Sequence, residues 1–333
     1  MSDAADQRPD ADVDSERDPD VVVLRKKIHG LPSERYAEAL RERLPDREVA
    51  FAATPEQERE LVARAPVVTG HYLAPERIAE AENLDYFACI YAGTGHLPME
   101  EFESRGVAVT NASGVHGPNI AEHAIGAMLA FARDFPRAFR RKERREWRSF
   151  PTHELMDSTV AVVGLGAIGQ ATVERLDAFG VHTVGVRHSP EKGGPTDEVY
   201  GFDELHSAVV DADYTVLACP LTDETEGLVG DGAFQTMPTD AVLVNVARGK
   251  VVDTDALVSA LRGNDIRGAA LDVTDPEPLP EDHELWGFDN VLVTPHNAGH
   301  TPEYFERMAD ILVRNLELAE ERGAFEGLEN QVT

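Results

Sequence analysis

The chain has 333 residues, two cysteines and a formal net charge of −30 from 61 acidic and 31 basic residues. Its length allows two domains with separate cores, and no apolar run approaches the roughly 20 residues of a membrane helix. The acidic N-terminus lacks the apolar segment of a signal peptide, and each cysteine lies singly in an apolar run, which argues against disulfides and metal sites. We therefore expect a cytoplasmic protein.

The charge also restricts the partners. It repels nucleic acid and anionic membranes, and only five of the basic residues are lysines. At molar salt the Debye length falls to about 3 Å and this self-repulsion is screened. We predict a salt-adapted protein from a halophile with a saline cytoplasm; an acidic mesophilic enzyme is the alternative.

Residues 1–20 contain seven Asp and one Glu, and almost nothing there can enter a core, so we predict a disordered acidic tail. From residue 21 short apolar runs alternate with helical patterns. Strands are predicted at residues 21–24, 48–53, 67–70, 86–91 and 107–110, and helices at residues 33–44, 55–65, 75–82 and 98–104. The alternation predicts a small α/β domain with a parallel sheet.

Residues 118–135 predict a long helix with an apolar face, which we interpret as the hinge between two domains. A basic cluster follows at residues 137–148. A nucleic-acid patch is conceivable there, but the acidic surroundings favour a solvated helix face or a subunit contact.

Residues 157–189 carry a dinucleotide-binding fingerprint. A strand at residues 160–163 leads into Gly164, Gly166 and Gly169, a helix follows, and a second strand is predicted at residues 183–186. In G-x-G-x-x-G the first glycine makes a tight turn, the second lets the backbone approach a pyrophosphate, and the third lets helix and strand pack closely. The helix N-terminus then faces the anion. A glycine-rich turn that binds no nucleotide is the alternative.

Further strand–helix units follow the fingerprint. The strands are predicted at residues 214–218, 241–245, 268–271 and 290–293, and helices near residues 203–210, 230–236, 254–262 and 301–322. We predict two doubly wound parallel-sheet domains: a Rossmann-type coenzyme domain (119–295) inserted in a flavodoxin-like substrate domain (21–118 and 296–333), with the active site in the cleft between them.

Three residues follow predicted strands, where open α/β sheets bind ligands. Arg248 can grip a carboxylate with two parallel hydrogen bonds. His296 can donate a proton to a carbonyl oxygen, and Glu277 can hold that ring and favour its charged form. Singly each residue is ambiguous, but their order behind a nucleotide fold predicts a 2-oxo acid reductase.

The chain resembles the D-isomer-specific 2-hydroxyacid dehydrogenases from residue 21 to residue 323, and its charge suggests a haloarchaeal member. The motifs are YAGTGHLP (91–98), TNASGVHGPNIAEH (110–123), VVGLGAIG (162–169), CPLTDETEGLVG (219–230), NVARGKVVDTDAL (245–257), ALDVTDPEPLP (270–280) and VTPHNAGHT (293–301).

The resemblance implies that the enzyme reduces 2-oxo acids to D-2-hydroxy acids. By it, Arg248 binds the substrate, Glu277 and His296 form the acid/base pair, and the amides of Ala92 and Gly93 hold the substrate carboxylate. The residues assigned to the cofactor are Gly164, Gly166, Ala167, Ile168, Gly169, Pro220, Thr225, Ala247, Asp272 (to the nicotinamide carboxamide) and Ala298. It also implies a homodimer through the coenzyme domain.

The second strand of the fingerprint indicates the cofactor. NAD-specific enzymes place a carboxylate at its end to bind the ribose 2′-hydroxyl. Here Arg187, His188 and Ser189 stand there, with Lys192 nearby. A cation and further donors suit a 2′-phosphate, so we predict a preference for NADPH over NADH; an Arg that only stacks on adenine would leave dual specificity.

The substrate is less well indicated. Tyr72 and Leu73 follow the third strand, where the family has a substrate-facing loop, and they hint at room for an apolar side chain. Asn297 and His300 depart from the usual residues near His296 and can alter the polarity of the pocket.

Other functions on this scaffold stay open. A glyoxylate/hydroxypyruvate reductase and a non-catalytic, dinucleotide-sensing corepressor are the alternatives. Glu277 argues against a formate dehydrogenase, and Arg187 argues against a biosynthetic phosphoglycerate dehydrogenase.

Overall fold

The computed structural model describes residues 17–28 and 30–333. In that part the chain forms twelve strands: β1 (Val21–Leu24), β2 (Val49–Ala52), β3 (Val67–Gly70), β4 (Tyr86–Cys89), β5 (Ala108–Thr110), β6 (Thr159–Val163), β7 (His182–Val186), β8 (Glu198–Tyr200), β9 (Tyr214–Leu217), β10 (Val242–Asn245), β11 (Gly268–Leu271) and β12 (Val291–Val293).

The α-helices of the same described residues are α1 (Glu34–Arg43), α2 (Pro55–Val62), α3 (Pro75–Glu80), α4 (Met99–Ser104), α5 (Gly117–Ala132), α6 (Phe135–Glu143), α7 (Ala167–Leu176), α8 (Leu205–Val209), α9 (Asp231–Thr236), α10 (Thr254–Gly263) and α11 (Tyr304–Arg322). Short 3-10 turns lie at Asp177–Phe179, Pro190–Lys192, Phe202–Glu204, Gly249–Val251 and Glu284–Gly287. Among the described residues, no helix is both long enough and apolar enough to span a membrane.

The chain divides into two compact units. Unit 1 is Met1–Ser113 with Pro302–Thr333, and unit 2 is Gly114–Thr301. The predicted domain boundaries, where the chain passes from one domain to the other near residues 119 and 296, both fall inside unit 2, close to its two ends.

Unit 1 contains a five-stranded sheet of order β2-β1-β3-β4-β5 in which every pair is parallel. The strands β1, β3, β4 and β5 are wholly buried because apolar side chains cover both faces, as parallel sheets require. The edge strand β2 is buried only at its two ends.

Unit 2 contains a seven-stranded parallel sheet of order β12-β11-β10-β9-β6-β7-β8. One apolar cluster covers each face: the first includes Val163, Leu217 and Leu243, and the second includes Val162, Val216 and Val244. Neighbouring residues of β6, β9 and β10 point to opposite faces, as the period of two in a strand dictates. The predicted α/β class with two parallel-sheet domains is confirmed.

Two elements of unit 2 differ from expectation. The predicted helix at residues 118–135 ends at Ala132, and α6 begins at Phe135. Asp134, between them, has a left-handed φ of 51°, and Pro136 cannot donate a backbone hydrogen bond, so one continuous helix is blocked. The strand β8 was not expected because its three residues, EVY, carry a charge and no apolar run; pairing with β7 defines it.

The structure differs from the prediction of a disordered acidic tail at the last residues of that tail. Residues 1–16 lie outside the described residues. The Asp20 carboxylate accepts a hydrogen bond from the Glu48 amide (2.7 Å), and Asp18 pairs with Arg64 (3.2 Å). Asp18 and Asp20 therefore make defined contacts, which the prediction of a disordered tail to residue 20 did not include, because the residues after α2 and before β2 offer them partners.

Candidate functional site

The glycine turn after β6 combines internal crowding with open space. Gly164 has a φ of +104°, and a Cβ there would lie 2.5 Å from the Cys219 amide nitrogen. A Cβ at Gly169 would collide with the carbonyl oxygen of Gly164, but one at Gly166 would meet nothing within 4 Å. Gly166 caps α7, whose first residues are Ala167 and Ile168. The turn therefore leaves bare backbone at a helix N-terminus, which suits the close approach of a pyrophosphate.

A cavity of about 640 Å³ opens beside this turn. It gathers predicted cofactor residues from the glycine turn, the end of β7 and the loop after β9. The lining residues are Gly164, Leu165, Gly166, Arg187, His188, Ser189, Lys192, Phe202, Pro220, Thr222, Asp223, Glu224 and Thr225. Apolar walls with a few polar groups are typical of cofactor sites, so the residues present fit a dinucleotide.

Thr225 shapes the loop that forms one wall of this cavity. Its side chain is fully buried, and its hydroxyl donates to the Pro220 carbonyl (2.6 Å) and accepts from the Thr222 amide (2.8 Å). The hydroxyl is therefore engaged within the loop.

The end of β7 carries the charged part of the cavity. The Arg187 guanidinium donates to the Gly193 carbonyl (2.7 Å), which anchors it to the segment that contains Lys192. His188 Nδ1 lies 2.7 Å from a carboxylate oxygen of Glu224. Arg187 and Lys192 thus give this wall of the cavity two cations, and His188 already contacts an acidic residue on the loop after β9.

The predicted acid/base pair is in contact within unit 2. His296 Nδ1 lies 2.5 Å from Glu277 Oε1, and both side chains are about half exposed (50% and 41%). An ionised carboxylate only accepts hydrogen bonds, so Nδ1 is the donor here and Nε2 is left for another partner. Glu277 sits in the loop after β11, which contains cis peptide bonds before Pro276 and Pro278.

Asp272 holds the segment that carries His296. The carboxylate is buried (4% exposed); Oδ1 accepts from Thr294 Oγ1 (2.6 Å) and the Asn297 amide (2.8 Å), and Oδ2 accepts from the Ala298 amide (2.9 Å). The Asp272 carbonyl accepts from the His296 amide (2.8 Å). These bonds surround His296, whose φ is 52°. They leave about one acceptor position on Oδ2 for the predicted carboxamide contact.

Arg248 follows β10, and Asn245 supports its turn. The Asn245 side chain is buried, donates to the Arg248 carbonyl (3.1 Å) and accepts from the Ala247 amide (3.0 Å). Arg248 itself is exposed, and no carboxylate in the described part of the chain pairs with it. A Cβ on Gly249 would collide with the Thr274 carbonyl, so this turn and the loop after β11 pack tightly.

The three predicted catalytic residues share one edge of the sheet. Arg248 follows β10, Glu277 follows β11 and His296 follows β12, and these strands are neighbours in the sheet. All the strands are parallel, so their carboxyl ends meet at this edge, where open α/β sheets bind ligands.

Ala247 and Ala298, predicted to lie near the nicotinamide ring, are both buried (4% exposed). The Ala298 carbonyl accepts from the Asn119 side chain (2.6 Å). Asn297 and His300, the two departures from the family pattern, are exposed, and the His300 amide donates to the Asn297 carbonyl (3.0 Å).

The substrate residues predicted from the family lie in unit 1. Ala92 and Gly93 follow β4 and are exposed, and their amides donate no hydrogen bond within the described residues. Tyr72 is 43% exposed, but Leu73 is only 4% exposed and packs in the core of unit 1. The apolar side chain of Leu73 therefore contributes to that core, and its part in a substrate pocket stays a prediction.

Residues 125–298 match the NAD binding domain of the D-isomer specific 2-hydroxyacid dehydrogenases. Glyoxylate reductase of Thermofilum pendens is 38% identical over 246 residues, 71% of this chain and 72% of the relative. The human glyoxylate reductase/hydroxypyruvate reductase is 35% identical over 247 residues, 72% of this chain and 74% of the relative. The chain belongs to the D-isomer specific 2-hydroxyacid dehydrogenase family.

Solved structures agree with this assignment. A D-isomer specific 2-hydroxyacid dehydrogenase from Xanthobacter autotrophicus Py2, in complex with NADPH and MES, matches with a TM-score of 0.74 at 27% identity, over 95% of this chain and 98% of that one. A family member from Aeromonas salmonicida gives 0.74 at 28% identity, over 94% and 98%. The predicted enzyme class, an oxidoreductase acting on a CH–OH group, is confirmed.

Two features of this family member were not identified from the sequence. Asn245 was seen only as part of a motif, although its buried side chain organises the Arg248 turn. Glu224 was not assigned to the cofactor site, because its contact with His188 joins residues 36 positions apart. The signal available for Glu224 was its place in the CPLTDETEGLVG motif.

Proposed function

We propose that this chain reduces 2-oxo acids to D-2-hydroxy acids with NADPH. The observation that carries the proposal is the 2.5 Å contact between His296 Nδ1 and Glu277 Oε1, at the sheet edge that also bears Arg248. Such a pair suits proton donation to a carbonyl oxygen. The Arg248 guanidinium donates to the Ala247 carbonyl (2.6 Å) and pairs with no carboxylate in the described residues, so it can still bind a 2-oxo acid. The names of the relatives make glyoxylate and hydroxypyruvate the second candidate substrates in this class.

In this mechanism the side chains bind the substrate and transfer one proton. Arg248 binds the 2-oxo acid and polarises its carbonyl. In unit 1, taken by itself, we propose that the amides of Ala92 and Gly93 bind a carboxylate. Reduction needs a hydride at C2, which a bound nicotinamide cofactor supplies. His296 Nε2 gives its proton to the carbonyl oxygen as the C–H bond forms, and Glu277 stabilises the charged ring beforehand. A proton from solvent then restores His296.

The preference for NADPH rests on the end of β7. Arg187, His188, Ser189 and Lys192 line the cavity there, where an NAD-specific site has a carboxylate. Arg187 is held by the Gly193 carbonyl, so its position does not depend on a ligand. The Gly164–Gly169 turn and α7 take the pyrophosphate.

We further propose that unit 1 is the substrate domain, that unit 2 is the coenzyme domain, and that unit 2 forms a homodimer. On unit 2, Phe139 and Trp147 are exposed (62% and 105%) beside the arginines of α6, and exposed aromatics next to Arg are typical of interfaces. A second copy of this acidic chain offers matching carboxylates.

The net charge of −30 supports a haloarchaeal, salt-adapted protein. The two free, buried cysteines fit a reducing cytoplasm.

Substituting His296 tests the proposed chemistry. We expect His296→Ala to reduce kcat at least about 100-fold, because general acid catalysis contributes about 10²–10⁴-fold, while NADPH binds as in the wild type. The measurements are initial rates of NADPH oxidation in molar KCl and NADPH binding by fluorescence titration. His206→Ala, an exposed histidine of α8, is the matched control.

Wild-type turnover in His296→Ala would contradict the mechanism. Tight NADPH binding by a wild-type protein that turns over no 2-oxo acid would instead favour the dinucleotide-sensing corepressor.

A further inference from the structure

A cluster of cationic and aromatic side chains lies at the carboxyl ends of three strands of unit 1. Lys26 follows β1, His71 follows β3, and Tyr91 and His96 follow β4. Lys26 Nζ lies 3.1 Å from His71 Nδ1. The His71 ring stacks on His96 (centroids 4.4 Å apart, 25° between planes) and meets Tyr91 edge-on at 4.5 Å. We call these four residues the Lys26 cluster.

The position of the Lys26 cluster in the sheet is informative. The strand order β2-β1-β3-β4-β5 reverses direction between β1 and β3. In open parallel sheets of this order, ligands bind outside the carboxyl ends of the strands at that switch point. Lys26 and His71 follow the two strands that flank it, so the cluster stands where this topology places a ligand.

The charge of Lys26 is not balanced within the described part of the chain. Lys26 forms no ion pair with a carboxylate there, although the chain carries 61 acidic residues. Its hydrogen-bond partner is His71, whose pKa is lowered to about 4 by burial and by the charges of Lys26 and His96. His71 is therefore neutral near pH 7, and its ring nitrogen accepts one of the three ammonium protons while two remain available.

Further hydrogen-bond donors lie beside the cluster on the same loop. The amides of Ala92 and Gly93 follow Tyr91 directly, and they donate to no acceptor in the described residues. His96 donates from Nε2 to the His71 carbonyl (2.8 Å), which ties the loop after β4 to the loop after β3. The Lys26 cluster and the adjacent amides of Ala92 and Gly93 thus present an ammonium and two amide donors, and no carboxylate of the described residues pairs with them.

We propose that the Lys26 cluster binds a second anionic group, distal to the 2-oxo acid, so that the substrate is a 2-oxo acid with an additional carboxylate or phosphate. This inference rests on the proposed function and narrows its substrate class. The amides of Ala92 and Gly93 take the 2-oxo carboxylate, and the Lys26 ammonium takes the distal anion. A monoanionic acid such as glyoxylate leaves the Lys26 ammonium without an anionic partner.

Pairs of substrates that differ only in the distal group test this inference. The pairs are 2-oxoglutarate with 2-oxopentanoate, oxaloacetate with 2-oxobutanoate, and phosphohydroxypyruvate with hydroxypyruvate. The first two pairs report a carboxylate and the third reports a phosphate. Each is measured by initial rates in molar KCl with the wild type, with Lys26→Gln and with Lys27→Gln. Lys27 is the matched control because it is exposed and carries the same charge one residue away.

We expect at least one dianionic acid to exceed its monoanionic partner in kcat/KM. Lys26→Gln should then lower kcat/KM for that dianion about tenfold, as for a lost charge-assisted hydrogen bond, chiefly through KM. The monoanionic partner should change less than about twofold, as should every substrate with Lys27→Gln.

Different results would refute the distal anion subsite and the proposed function. Reduction of monoanionic acids without any preference for a dianion, or an equal loss with Lys26→Gln and Lys27→Gln, overturns the subsite and leaves the proposed function standing. No turnover with any 2-oxo acid overturns both.

Discussion

The buried carboxylate of Asp272 controls where His296 stands. Three hydrogen bonds run to it, from Thr294 Oγ1, the Asn297 amide and the Ala298 amide. We predict that Asp272→Asn lowers kcat by a larger factor than it raises the Kd for NADPH. The asparagine oxygen can accept the two bonds made to Oδ1, but its NH₂ group then faces the Ala298 amide, so two donors oppose each other.

The structure sets the magnitude of this effect. One charge-assisted hydrogen bond is lost and one buried donor is left without an acceptor, which costs about 2–3 kcal/mol of the free energy of unfolding. The bond is lost two residues from His296, so the ring moves from its place beside Glu277. A displacement of about 1 Å at a reacting group lowers a rate about 100-fold. We expect a kcat reduced about 10–100-fold.

The assay combines kcat and KM for a 2-oxo acid with the Kd for NADPH and the midpoint of thermal unfolding. Asp282→Asn is the control, since Asp282 is exposed in the same loop region after β11. A lower unfolding midpoint with wild-type kcat would refute the positioning role. A raised Kd for NADPH with unchanged kcat would leave Asp272 the predicted carboxamide contact alone.

Two further predictions concern charged groups. Glu224→Gln should lower the KM for NADPH by up to about fivefold, because the variant removes a carboxylate that lines the cavity beside His188 and repels a 2′-phosphate, and an exposed charge interaction contributes about 0.2–1 kcal/mol. The KM for NADH should not change, and a raised KM for NADPH would count against this. The pKa of His71 is lowered to about 4 in the folded chain, but an unfolded histidine has a pKa of about 6.5. As the pH falls, the unfolded chain therefore takes up a proton before the folded chain does. The free energy of unfolding should decrease between about pH 6.5 and pH 4. When urea unfolding is measured across that pH range, the free energy of unfolding should decrease less for His71→Gln than for the wild type. An equal decrease in both proteins would contradict the lowered pKa of His71.

Local sequence patterns predicted those parts of the fold that depend on neighbouring residues in the chain. The apolar runs of β1, β3, β6 and β10 predicted buried parallel strands, and the glycines at 164, 166 and 169 predicted a turn that the Cβ collisions explain. Arg248, Glu277 and His296 each follow a strand, and parallel strands bring their carboxyl ends to one edge; the catalytic roles of the three residues stay a prediction.

Contacts between distant residues were not predictable in the same way. The strand β8 exists because it pairs with β7, and Leu73 is core because the helices and strands of unit 1 surround it. The pairing of His188 with Glu224 and the three bonds to Asp272 depend on loops that meet only in the folded chain. No periodicity within one segment records such contacts.

The proposed reaction is an NADPH-dependent reduction of a 2-oxo acid. The most direct measurement is the initial rate of NADPH oxidation, and separately of NADH oxidation, with a panel of 2-oxo acids in molar KCl. Turnover with NADPH at a higher kcat/KM than with NADH is the predicted result. Turnover with NADH alone would contradict the assignment of Arg187, and no turnover with either cofactor would contradict the proposed reaction.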